Sequence, residues 1–371
     1  MKPAIKRVWV LGAGQLGAML KHAAQPLGVD LRPVDIELDA NLPLDDDDVI
    51  TAEREQWPST KATDQLAAHP NFVNQDVFGL VADRVTQKQL LDRLHLATAP
   101  WTLVEDQHTA ASLHGQYGDR VLLKQRTGGF DGRGQHWLVA GQGNTDLSDL
   151  SDLSSAIPQG WHNKVIAEQA IAFDEEVSII GVRNRAGECH YYPLALNRHQ
   201  DGILTVTLAP LERLYSLQNE AETMLGKVMD ELDYVGVMAM ELFRIGERLL
   251  INELAPRVHN SGHWTQSGAS ISQFEYHVRA TADLPLAPAL IKHSSVMINL
   301  IGIDYNLAWL ALPGAEVFWY GKEVRPVRKV GHINFSMADK AQLIRSLREL
   351  QATLTQWYQP ALNWAIDELE G

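Results

Sequence analysis

Short apolar runs alternate with stretches of helical period through the first hundred positions. Val8-Trp9-Val10-Leu11 predicts a buried strand, and a helix follows to about Ala24. The next strand ends at Asp35, Val49 to Glu53 reads as another strand end, and Phe72-Val73-Asn74 is short and apolar. Asp83 to Lys88 opens a helix carrying Leu90, Leu91 and Leu94. This alternation predicts an open α/β domain over residues 1–100, with Ala99-Pro100-Trp101 as the linker out of it.

Beyond the linker the pattern favours strands. Val121-Leu122-Leu123 ends on a cation, Lys124, and Val165-Ile166-Ala167 ends on a carboxylate, Glu168. Glu175 to Ile180 resumes the sheet, Asn197 to Gly202 reads as a polar turn, and Glu220 to Leu232 is an amphipathic helix. Ile271 to Ala282 predicts a helix and Ser295 to Gly302 a strand. Val317 to Tyr320 and Gly331 to Phe335 flank a basic stretch. Ser336-Met337-Ala338-Asp339 reads as a capping box. It opens a last helix whose Leu343, Leu347, Leu350 and Leu354 repeat at core spacing. The expected class is α/β followed by α+β, divided into residues 1–100, 101–170, 171–290 and a small C-terminal domain over 291–371.

One stretch combines this patterning with chemistry. Met238 to Ile245 and Arg248 to Ala255 are apolar runs about a glycine turn, which predicts a β-hairpin. Each run carries a carboxylate, Glu241 and Glu253. A loop of Gly246, Glu247 and Arg248 sets these two opposite each other on one face, whereas a two-residue loop pairs Glu241 with Asn252. In either register acceptor oxygens cluster. Facing carboxylates repel unless a cation lies between them, and hard oxygen ligands suit Mg²⁺ with nucleotide phosphates completing its shell.

Composition narrows the partners. A net charge of −14 disfavours nucleic acid as a ligand of the whole surface. Cys189 is the only cysteine, which fits a reducing cytoplasm, and no apolar run reaches transmembrane length. Against this acidic background the cluster Lys322, Arg325, Arg328 and Lys329 stands out as a fork for a phosphate.

Two glycine patterns suggest anion sites. Gly12-Ala13-Gly14-Gln15-Leu16-Gly17 opens a helix, whose free N–H groups attract an anion; with Asp35 it also matches a dinucleotide fingerprint. Gly14, Gln15 and Leu16 are the candidate contacts. Residues 126–134 hold four glycines flanked by basic residues, a loop whose backbone can approach phosphate closely. Asp-Leu-Ser repeats between Thr145 and Ser155 read as an exposed connector.

A strand lysine, a glycine-rich lid, a strand-end glutamate and two acids ending in Asn252-Glu253 resemble the ATP-grasp superfamily. Within it, Arg126 to Gln135, Asn252 to Thr265 and Arg325 to His332 resemble the 5-(carboxyamino)imidazole ribonucleotide synthases of purine biosynthesis. The resemblance runs from Val8 to about Phe335; glycine often stands in that family where Val327 stands here. It implies an ATP-grasp fold preceded by a Rossmann-like domain. It implies that Lys124 binds the ATP α-phosphate and that Gly129, Phe130, Asp131, Gly132, Arg133, Gly134 and Gln135 close over the phosphates. Glu168, Gln169, Ala170 and Ile171 would meet the adenine edge and Glu176 the ribose, with Arg84 and His199 flanking the nucleotide. Glu241 and Glu253, with Asn252 beside them, would bind Mg²⁺. The implied reaction uses ATP and bicarbonate to carboxylate 5-aminoimidazole ribonucleotide, in a cytoplasmic homodimer. Arg257 and His263, following the hairpin, are candidates to hold carboxyphosphate, and Asp131 of the lid is a further catalytic candidate.

Three other readings compete. An ATP-grasp ligase for another acceptor shares the hairpin and the lid. A nicotinamide dehydrogenase would use Gly12 to Gly17. A nucleotide sensor would not need both Glu241 and Glu253.

Overall fold

The computed structural model describes residues 6–105, 107–129, 134–141, 158, 161 and 164–371. The lid residues Phe130, Asp131, Gly132 and Arg133 and the Asp-Leu-Ser connector lie outside them.

The first domain is built on a parallel sheet. β1 (Arg7–Leu11) lies between β2 (Asp30–Val34) and β3 (Val49–Ala52), with α1 (Gln15–Ala24) as the crossover from β1 to β2. Strands covered on both faces read as continuous apolar runs, which is why β1 and β3 were legible. α2 (Lys61–Ala67), α3 (Gln75–Ala82) and α4 (Arg84–Arg93) complete the domain. Phe72 forms only an isolated bridge with Ile50, and no further strand. Its ring stacks on Phe78 at 5.7 Å, so its apolarity serves side-chain packing rather than a ladder. Asp83 caps α4 by accepting from the Val85 N–H.

A four-stranded antiparallel sheet follows. Its order is β4 (Trp101–Leu103), β7 (Val165–Gln169), β5 (Arg120–Gln125), β6 (Gln135–Val139), with α5 (Ala110–Tyr117) on one face. Leu113, Val121, Leu123, Val165 and Ala167 form its small separate core.

The third sheet is the largest. Its strands are β8 (Glu175–Arg183), β9 (Cys189–Tyr191), β10 (Ala195–Gln200), β11 (Ile203–Ala209), β12 (Gly236–Ile245), β13 (Arg248–Ala255), β14 (Ser294–Ile301), β15 (Ala315–Trp319) and β16 (Lys329–Met337). They run in the order β13-β12-β8-β10-β11-β14-β16-β15, with β9 on β8. α6 (Tyr215–Glu231), α7 (Thr265–Gly268), α8 (Gln273–Thr281), α9 (Lys340–Gln351) and α10 (Gln359–Glu370) cover it. The division drawn at residue 290 therefore falls within one continuous sheet, because β14 pairs with β11.

Two local expectations fail. Asn197 to Gln200 belongs to β10, and only Asp201 and Gly202 turn. Asn197 and His199 bond to Ser178 and Glu176 on the neighbouring strand, so their polarity serves side-chain contacts within the sheet. Ser336 stays in β16; Asp339 alone caps α9, accepting from the Ala341 and Gln342 N–H groups.

Interdomain packing places a neutral histidine in the core. His277 of α8 is 1% exposed, accepts from the Val237 N–H and contacts Thr51 Oγ1 at 2.9 Å. The Val237 bond leaves the proton on Nε2, pointing at Thr51. Gly236, at φ +123, allows the close approach: a Cβ there would lie 3.0 Å from the imidazole. Burial lowers the His277 pKa to about 4, and burial lowers His263 and His332 in the same direction. The unfolded chain then binds more protons, so stability is full above the unfolded pKa near 6.5 and is lost as pH falls toward 4. His277 alone accounts for about 3 kcal/mol across that window. The urea midpoint should fall steadily between pH 7 and 4.5, and His277→Gln should flatten part of the slope. Equal slopes for variant and wild type would remove His277 from the explanation.

Candidate active site

The β12–β13 hairpin has a two-residue turn, Gly246-Glu247, with Ile245 opposite Arg248. Glu241 nevertheless pairs with Glu253. A bulge between Glu241 and Leu242 inserts Asn252 as an extra residue on β13. The two carboxylates thus face each other through a bulge in β13 and not through a third loop residue. His259 Nε2 lies 3.1 Å from Glu241 Oε1. Its Nδ1 accepts from the Ser261 N–H and lies 2.9 Å from Ser261 Oγ. Ser178 in turn donates to Ser261 Oγ and Asn197 to Ser178 Oγ, so the chain of donors leaves the His259 proton on Nε2, aimed at Glu241.

The two acids differ in electrostatics. Burial would raise the Glu241 pKa, but the hydrogen bond from His259 and the charges around it hold it well below the usual carboxylate range. Desolvation and the charge of Glu241 push Glu253 up, and Arg84 at 3.6 Å offsets this only partly. Among the described residues no group of three or more His, Cys, Asp or Glu side chains is disposed to hold a metal. A pair of carboxylates beside an asparagine carbonyl still fits Mg²⁺, which takes few protein ligands and fills its shell with water and phosphate.

Across the cleft, Glu168 is 3% exposed and ion-paired at 2.7 Å to both Lys88 and Lys124. Burial alone would raise its pKa; the two lysines outweigh that and bring it down to about 2. Lys124 also donates to Asn252 Oδ1 at 3.1 Å, which ties the strand lysine to the bulge. The Glu168 carboxylate is thus engaged by the two lysines. Gln169, Ala170 and Ile171 follow it at the end of β7, exposed or partly exposed. Lys88 was not anticipated: a lysine on an amphipathic helix reads as solvated until its partner is known.

Arg84 spans the base of the glycine loop. Its guanidinium donates to the carbonyls of Gln125, Gly128 and Gly129 at 2.7, 2.8 and 3.1 Å. Gly128, Gly129 and Gly134 all have positive φ, and a Cβ on Gly134 would lie 2.9 Å from Gln125 Oε1. Gln135 begins β6 opposite Lys124. Glu176 and His199 bond to each other on neighbouring strands.

The N-terminal and C-terminal anion candidates meet. Lys322 Nζ donates to Gln15 Oε1 and Lys329 Nζ to Asn260 Oδ1. Burial and the charge of Arg328 lower the Lys322 pKa. Arg325 does not join this group; it pairs with Glu323 on the exposed side. Arg328 is the last residue of a turn closed by its N–H to the Arg325 carbonyl at 3.1 Å. Val327 occupies that turn at φ +56, a strained conformation for a β-branched residue that costs about 1–3 kcal/mol. The Gly302 N–H holds the turn through the Arg328 carbonyl at 2.9 Å.

Three expectations are corrected here. The start of α1 is not an open anion site: Glu53 accepts from the Gly14 N–H at 2.6 Å and from the Gly17 N–H. That carboxylate also takes the place a dinucleotide pyrophosphate would need, against the dehydrogenase reading. Leu16 packs on the apolar core. His263 is 1% exposed, accepts from Gln273 Nε2 at 3.0 Å and lies against Phe274 and His332, so His259 is the imidazole that faces the carboxylates. Arg257 lies 3.0 Å from Glu55. Glu53 and Glu55 follow the parallel strand β3, and acids in that position mark the crevice where open α/β sheets bind ligands.

The fold and this site define an ATP-grasp enzyme: residues 89–274 match the ATP-grasp domain, and residues 295–346 match the phosphoribosylaminoimidazole carboxylase C-terminal domain. N5-carboxyaminoimidazole ribonucleotide synthase of Haemophilus influenzae is 50% identical over 98% of each chain. The crystal structure of N5-carboxyaminoimidazole ribonucleotide synthetase from Thermus thermophilus superposes with a TM-score of 0.81 at 37% identity, covering 94% of this chain and 99% of that one. The carboxyaminoimidazole ribonucleotide synthase of Aspergillus clavatus complexed with ATP has a TM-score of 0.76 at 26% identity, covering 98% and 99%. The chain belongs to the N5-carboxyaminoimidazole ribonucleotide synthase family, and it is an ATP-dependent ligase.

Proposed function

We propose that the protein carboxylates the exocyclic amine of 5-aminoimidazole ribonucleotide, consuming ATP and bicarbonate. A bicarbonate oxygen attacks the γ-phosphorus, the bond to ADP breaks, and carboxyphosphate forms. The amine then attacks the carboxyl carbon, phosphate leaves and the amine loses a proton. One observation carries this reading: Lys322 on Gln15 joins elements 307 positions apart into a basic site, in the same chain as the facing acids Glu241 and Glu253. An ATP-grasp centre needs those acids, and a phosphorylated acceptor needs that basic site.

Lys124 is held by Glu168 and Asn252 toward the nucleotide phosphates, and Arg84 fixes the base of the loop that covers them. Glu176 and His199 line the nucleotide side. Glu241, Glu253 and Asn252 would hold Mg²⁺, which supplies positive charge against the phosphoryl oxygens. Arg257 and His259 face the position for carboxyphosphate. Lys322, Arg328 and Lys329 hold the acceptor phosphate, with Gln15 beside them; Arg325 stays outside this set. The family resemblance supports a homodimer, and the single free Cys189 supports a reducing cytoplasm. Among the described residues no helix is long and apolar enough to cross a membrane.

Phosphate release measured with ATP, bicarbonate and ribonucleotide omitted in turn tests the reaction. Full release without the ribonucleotide would reject the acceptor. Arg328→Ala should raise the apparent KM for the ribonucleotide at least tenfold, about 1.4 kcal/mol of lost interaction, with little change in that for ATP. Loss of ATP affinity instead would move Arg328 to the nucleotide.

A further inference from the structure

We infer that Tyr320 is a positioning residue that sets the spacing of Lys322 and Lys329. The inference rests on the reading above that these lysines hold the acceptor phosphate. Both ammonium groups lie 5.7 Å from the Tyr320 ring centroid, within the range over which an aromatic face attracts a cation. Two like charges near one phosphate site repel each other, and a ring that attracts both offsets part of that cost. Each lysine also has a described anchor at its tip, Gln15 for Lys322 and Asn260 for Lys329. Those anchors come from separate segments, whereas the Tyr320 ring is common to both lysines.

The ring itself is locked from behind. The Tyr320 hydroxyl lies 2.6 Å from His332 Nδ1, and His332 Nε2 lies 2.9 Å from Gln266 Oε1. The Gln266 amide nitrogen donates to Met19 Sδ, which leaves its oxygen as the acceptor. His332 therefore carries its proton on Nε2, its Nδ1 accepts, and Tyr320 donates. Burial lowers the His332 pKa well below its ordinary value, so the ring stays neutral and keeps this tautomer. Phe318 stacks on His332 at 4.5 Å and fixes its plane. Tyr320 touches neither the nucleotide side of the cleft nor the facing carboxylates in any described contact.

Steady-state kinetics on the full chain separates the alternatives. Tyr320→Leu should raise the apparent KM for 5-aminoimidazole ribonucleotide about tenfold, with kcat and the KM for ATP within about twofold. Tyr320→Phe keeps both ring faces and loses only the donor to His332, so its KM should rise no more than about threefold. If Tyr320→Leu does not fold, Tyr320→Met is read in its place. Lys322→Ala and Lys329→Ala are measured alongside. A folded Tyr320→Leu with wild-type KM, while either lysine variant raises it, overturns the positioning role alone. Lysine variants that leave the KM unmoved overturn the underlying phosphate site. A parallel fall in kcat and in both affinities would mark Tyr320 as a general structural residue and also overturn the inference.

Discussion

Glu253→Gln should lower turnover by about a hundredfold or more and leave the fold intact. In the proposed reaction the opposed carboxylates of β12 and β13 would share a cation, which would act chiefly on charge that develops in phosphoryl transfer. The amide is isosteric, so the bulge at Asn252 and the Lys124 contact should survive. A second readout has the opposite sign. Glu253 is pushed above its ordinary pKa, by desolvation and then by Glu241, so its charged form weakens the metal-free protein near neutral pH. Removing that charge should hold or slightly raise the melting temperature in chelator. Near-normal ATP-dependent phosphate release by the folded variant would refute the metal role. A lowered melting temperature would show that the carboxylate serves structure instead.

Glu168→Gln should have the largest effect on stability. Its carboxylate is buried between two ammonium groups at 2.7 Å, and its pKa is brought down to about 2. The shift from 4.5 corresponds to about 3 kcal/mol, near the 3–5 kcal/mol that breaking a buried pair costs. That contribution is present above pH 4.5 and is lost as pH falls toward 2. Lys88 and Glu168 pull in different directions. Burial, aided by Lys124, lowers the Lys88 pKa despite the pairing, so Lys88 should be the first to shed its proton when Glu168 becomes neutral. This release limits the loss to the lower end of the range. Lys124 would keep only Asn252 as a described anchor, and ATP affinity should fall at least about tenfold. Urea unfolding and ATP titration check both effects. An unchanged midpoint together with unchanged ATP affinity would show that the triad neither stabilises the lid subdomain nor orients Lys124.

The sequence by itself determined the elements whose patterning is local. β1, α1, β5, β7, β8 and the β12–β13 hairpin follow from apolar runs, glycines and turn residues read over a few positions. The leucines of α9 are buried because helical spacing places them on one face. The pairing of Glu241 with Glu253 was one of two registers the pattern allowed, and the meeting of Gln15 with Lys322 was implied only by chemistry. Tertiary structure decided the rest. A bulge sets the hairpin register, and no local rule marks Asn252 as the extra residue. Glu53 fills the helix start that looked open to a ligand, because a carboxylate at the end of β3, paired beside β1, reaches the same N–H groups. His259 replaces His263 at the cleft, since the short helical turns at Asn260–Gly262 and Thr265–Gly268 carry one imidazole outward and bury the other. Lys88 acquires its role only from Glu168, far along the chain, and Tyr320 only from the way the segment to His332 folds back on it. Burial and charge pairing depend on which distant segments fold together, and hydrophobic periodicity carries no information about that.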